Sequence, residues 1–63
     1  MKRFEEEAKA LLERIDIEGL AEGYMDDEIR EAIHAKLAPC DDLTFLAAYL
    51  DAHYEKYGEM LEI

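Results

Sequence analysis

The sequence predicts an all-α protein, a compact bundle of three to four short helices forming a single domain over residues 1–63. Three observations lead there. Apolar residues recur at helical spacing through most of the chain, whereas no stretch alternates as a half-buried strand would. Carboxylates stand where helices should begin, and Gly23, Pro39 and Gly58 stand where helices should end. Finally, 51% of the residues are hydrophobic, too many for a disordered acidic tail.

The first helix is expected over residues 3–15, where Phe4, Ala8, Leu11, Leu12 and Ile15 form one apolar stripe. Asp16 reads as the N-cap of a short second helix carrying Ile17, Leu20, Ala21 and Tyr24, weakened by Gly19 and ended near Gly23. Asp26 should cap a third helix that runs to Leu37, with Met25, Ile29, Ala32, Ile33 and Leu37 as its apolar positions. Pro39 cannot continue it and restricts Ala38, so the pattern breaks across residues 38–40.

Asp41 or Asp42 should cap the last and longest helix, over residues 43–57. Its inward stripe is Leu43, Leu46, Ala47, Leu50, Tyr54 and Tyr57, and Gly58 supplies a left-handed C-terminal residue. Met60, Leu61 and Ile63 can fold back over the core. We expect the first and last helices to supply most of that core. At 63 residues the core is thin, compatible with a monomer but better served by a homodimer.

Composition narrows the function. Seventeen acidic residues against seven basic ones give a formal net charge of −10, which repels nucleic-acid phosphates and anionic lipid alike. A partner chosen by charge is therefore a basic protein. No run approaches the roughly 18 apolar residues of a membrane span. The amino-terminal residues turn acidic too early for a signal peptide, and the single Cys40 makes no internal disulfide, so a cytoplasmic setting is expected.

Catalysis finds little to work with. Thr44 is the one hydroxyl of the serine type, and no serine is present. His34, Cys40 and His53 are single residues without the close spacing of a zinc site, and no spacing demands a Cys–His pair. Asp26, Asp27 and Glu28, like Asp41 and Asp42, lack the alternating ligands and central glycine of a calcium loop; they read as helix starts. No glycine-rich phosphate loop occurs. We expect no enzyme activity, no cofactor and no metal.

What remains is the placement of the carboxylates. Asp51, Glu55 and Glu59 follow at i, i+4 and i+8, opposite Tyr49 and His53, with Lys56 offsetting them from one side. Asp27 and Glu31, with Glu28 beside them, repeat the arrangement in the third helix. Like charges four apart cost about 0.2–0.5 kcal/mol per pair. Acids near a helix C-terminus add roughly 0.3–1 kcal/mol. Such carboxylates lie about 6 Å apart and can stand in for a stretch of phosphate backbone. The plainer reading is a charged exterior that keeps the protein dissolved. Phe45 and Tyr49 flank the inward stripe as candidate aromatic anchors beside the acidic face.

In size, charge and helicity, carried by Asp27, Glu28, Glu31, Asp51, Glu55 and Glu59, the chain resembles the small acidic anti-CRISPR proteins of bacteriophages, particularly those that mimic DNA. That group has no common motif, so no residue role is transferred from it. The resemblance implies an inhibitor that occupies the DNA-binding surface of a CRISPR effector, a nucleic-acid-binding protein. The alternative is an antitoxin-like or regulatory module that holds a basic partner through a hydrophobic groove.

Overall fold

The computed structural model describes residues 4–37 and 39–61. The expected helix start at residue 3, the break at Ala38 and the packing of Ile63 involve residues outside that set. Four helices follow one another: α1 (Glu5–Arg14), α2 (Ile17–Gly23), α3 (Asp27–Leu37) and α4 (Asp42–Tyr57), and no strand occurs among the described residues.

The helix starts are set by carboxylates at three of the four positions. Asp16 accepts the backbone N–H of Gly19 at 2.9 Å, and Asp26 accepts that of Glu28 at 2.8 Å. Of the two candidates ahead of α4 the cap is Asp41, which accepts from Thr44 at 3.0 Å; Asp42 is already helical. Each bond satisfies one amide that the first helical turn leaves without an internal partner, worth about 1 kcal/mol. The start of α1 differs. Phe4 is not part of the helix but caps it in a left-handed conformation, with no side-chain bond, and Glu5, Glu6 and Glu7 fill the first turn.

At the other ends, Gly58 takes φ 74°, as a left-handed terminator should. Gly23 does not play that part. It is the last residue of α2, and Tyr24 follows as the cap, with the amides of Tyr24 and Met25 both donating to the carbonyl of Leu20 at 2.9 Å. Gly19 serves packing: a Cβ there would sit 2.9 Å from Cγ1 of Ile15, so the missing side chain lets the α1–α2 corner close.

The core is built around α4, which packs on α1 from one side and on α3 from the other. Its buried residues are Leu46, Ala47, Tyr49 and Leu50. Leu20 meets them from α2, Met25 from the turn after it, Ile29 and Ile33 from α3, and Leu61 folds back from beyond α4. The expectation that α1 and α4 supply most of the core needs correcting. The fully buried residue of α1 is Ala8, while Phe4, Leu11, Leu12 and Ile15 are half-buried at the margin.

Contact from two sides also widens the inward arc of α4. It takes in Tyr49 and excludes Tyr54 and Tyr57, both expected inside but 41% and 49% exposed. These two tyrosines lie at the rim, each over the start of a neighbouring helix. The Tyr54 ring stands 5.7 Å from that of Phe4, and the Tyr57 hydroxyl donates to the carboxylate of Asp26. A phenol suits such a position because its ring packs while its hydroxyl stays wet. Tyr24 and Ala32, also expected inside, are exposed.

Candidate protein-binding surface

Asp27, Glu28 and Glu31 all stand exposed on the outer side of α3. They are not uniformly uncompensated, as the spacing alone implied. The Arg30 guanidinium lies 3.3 Å from Asp27, and the Lys56 ammonium reaches Glu28 at 3.8 Å. The Glu28 side chain is 89% exposed, so that pair is solvent-screened and weak. Among the described residues no ion pair reaches Glu31 or Glu59.

On α4, half-buried Asp51 and exposed Glu55 share a groove with Ile33, Lys36, Leu37 and Ala52. Neither carboxylate is without an interaction of its own. The expected third member of their row is displaced. Glu59 lies past the left-handed turn at Gly58, so the helical register ends before reaching it. It borders a different depression, shared with Tyr24, Met25, Asp26, His53 and Tyr57.

Of the two aromatic candidates, only Phe45 keeps some exposure. It is half-buried and borders an apolar groove with Ile17, Ala21, Pro39 and Cys40. Tyr49 is fully buried and cannot serve as an exposed anchor. Its hydroxyl explains why it points inward. It accepts the backbone N–H of Asp26 at 2.7 Å and lies 3.0 Å from Nδ1 of His53. The hydroxyl donates to Nδ1 when the imidazole proton sits on Nε2 and accepts from it when the proton sits on Nδ1, so either tautomer satisfies the pair.

Asp26 is the centre of a polar cluster that sequence reasoning saw only as a helix cap. One carboxylate oxygen caps α3, while the other accepts from the Tyr57 hydroxyl and from Lys56 at 3.2 Å. The hydrogen bond from Tyr57, then that from Lys56, hold the Asp26 carboxyl at a pKa of about 2; the amides of Ile29 and Glu28 assist, and desolvation works the other way. The same contact with Asp26 pushes Tyr57 and Lys56 up, whereas burial first of all pushes Tyr49 up. The His53 ring rests 4.8 Å from that of Tyr57, and Lys56 lies 5.3 Å from the Tyr57 centroid. Residues 30 and 31 positions apart meet here. No local pattern announces such a meeting; Tyr49, His53, Tyr54 and Tyr57, crowded towards the end of α4, are the available hint.

The described residues hold no group of three or more His, Cys, Asp or Glu able to bind a metal ion, and no helix long and apolar enough to cross a membrane. Cys40 is exposed and borders the Phe45 groove together with His34, with no hydrogen bond between the two among the described contacts.

Fold and surface together define a small helical protein with a carboxylate-rich exterior. The family model of anti-CRISPR protein AcrIC5 matches residues 19–60, more than half of the sequence, and the chain belongs to that family. No curated protein and no solved structure matches it. The matched span runs from within α2 to just past α4, and so contains the Asp26 cluster and Asp27, Glu28, Glu31, Asp51, Glu55 and Glu59.

Proposed function

We propose that this anti-CRISPR protein inhibits by stoichiometric binding, occupying the cationic surface on which a CRISPR–Cas effector receives DNA. The observation that carries the reading is the exposed acidic face of α3, where Asp27, Glu28 and Glu31 meet solvent in a protein of net charge −10. A basic DNA-binding channel attracts such a face at long range, and steering of this kind raises association rates while excluding partners of the wrong sign. The pairs with Arg30 and Lys56 do not oppose it, because exposed side chains can exchange partners at small cost. Inhibition here needs no turnover, cofactor or metal. It acts in the cytoplasm of the bacterial host, where the effector is.

The test is competition. An effector with its guide RNA is loaded with labelled target DNA, and the protein is titrated in. Displacement of DNA by the native chain, and loss of displacement by Glu28→Lys with Glu31→Lys, is the expected result. Binding that leaves DNA occupancy untouched removes mimicry.

The second reading takes its support from the groove beside Phe45, whose walls include Ile17, Ala21 and Pro39. An apolar segment of a partner seated there gives a complex that tolerates salt, which the same assay distinguishes.

A further inference from the structure

The depression between the α2–α3 turn and the end of α4 combines two features that recognise one kind of group. Tyr24 and Tyr57 border it and leave 45% and 49% of their surfaces exposed, so aromatic carbon faces water there. Asp26 and Glu59 border it too, supplying carboxylates. A cation already lies beside it: Lys56 stands 3.2 Å from Asp26 and 5.3 Å from the centre of the Tyr57 ring. The chain's own lysine thus shows what this corner of the surface attracts.

We infer that this depression receives an arginine side chain of the protein partner, stacked on Tyr24 and Tyr57 and paired with Glu59. Arginine fits better than lysine for a physical reason. Its guanidinium is planar, weakly hydrated and able to lie flat on a ring while its edge donates two parallel bonds to a carboxylate. An ammonium gains less from an extended aromatic wall and loses more hydration on entering. Asp26 is fully engaged with Tyr57, Lys56 and the amides of α3, so it contributes field rather than a free binding edge. Glu59, which has no ion pair among the described residues, supplies that edge. Lys56 competes with the incoming cation.

The inference rests on the reading that the partner is a basic protein, and its test is independent of that partner. Isotope-labelled protein is titrated at low ionic strength with N-acetyl-argininamide, and in parallel with the lysine analogue, while NMR resonances are followed. The arginine probe should move the ring signals of Tyr24 and Tyr57 and the amide of Glu59 most, and the lysine probe should bind more weakly. Tyr24→Ala and Glu59→Gln should each weaken the arginine probe about two- to fivefold. Both replace exposed side chains, so retained helical circular dichroism is expected. Lys56→Gln should strengthen binding. Shifts spread evenly over all carboxylates, equal affinity for the two probes, or no saturable shift overturns the inference. A local arginine site in a protein that fails to displace DNA sinks the mimicry reading and leaves the pocket. DNA displacement without a local arginine site does the reverse.

Discussion

The buried hydroxyl of Tyr49 accepts the backbone N–H of Asp26 at 2.7 Å, tying the start of α3 to the middle of α4 across 23 positions of sequence. That amide lies in the junction between helices, where a phenylalanine ring offers it nothing. Tyr49→Phe should therefore destabilise the fold by about 1–3 kcal/mol, the cost of leaving a desolvated donor unpaired. Urea unfolding should show a lower midpoint at unchanged slope. Retention of the native midpoint would show that the bond contributes nothing.

The low pKa of Asp26 sets an acid limit. Its folded value of about 2 lies below the ordinary 3.8, so the folded state prefers the ionised form. This contribution is present above pH 3.8 and is lost as pH falls towards 2. In Asp26→Asn the pH dependence of the thermal midpoint should be flatter over that interval than in the native chain. Tyr57 and Lys56 have raised values, so their contributions are complete below pH 10 and fade as pH climbs beyond it. Tyr57→Phe should flatten that alkaline arm, as read from thermal midpoints between pH 9 and 11.

The three glycines should respond differently to alanine. At Gly23 a Cβ meets nothing within 4 Å and the site is helical, so Gly23→Ala should stabilise by about 0.4–1 kcal/mol. Gly19→Ala brings its methyl to 2.9 Å from Ile15 Cγ1 and should forfeit that gain. Gly58→Ala must hold a left-handed residue and should cost about 1–2 kcal/mol. Thermal melts of the three variants should rank Gly23→Ala highest and Gly58→Ala lowest.

Binding through the acidic face should weaken steeply between about 50 and 200 mM salt, because charges exposed to solvent are screened over a Debye length. Asp51→Lys with Glu55→Lys should weaken it further, alongside the α3 pair. Calorimetric titration against the effector at several salt concentrations measures both effects. An affinity flat across that range assigns recognition to the Phe45 groove instead.

Most of the helical framework could be read from the residues because its signals are local. Asp16, Asp26 and Gly58 act on amides and carbonyls within four positions, so their types and spacing are sufficient. The inward face of α4 was less legible. Periodicity placed Tyr54 and Tyr57 inside and left Tyr49 at the edge, but the true arc depends on α1 and α3 pressing on two sides of one helix. The carboxylates show the same division. Their exposure on α3 followed from spacing, whereas the reach of Lys56 to Glu28 and Asp26, and the turn that carries Glu59 away from Asp51 and Glu55, belong to tertiary structure.

The attachment of α1 has a consequence for how the molecule breathes. This helix leans chiefly on α4, and the side chain it buries completely is a single alanine. An element secured along one seam, with its leucines only half-buried, should open before the rest. Its amide hydrogens should exchange with solvent through a partial detachment, while those of α3 and α4, held together by the Tyr49 and Asp26 contacts, wait for global unfolding. The surface of α4 normally covered by α1 would then be bared intermittently in an otherwise intact protein.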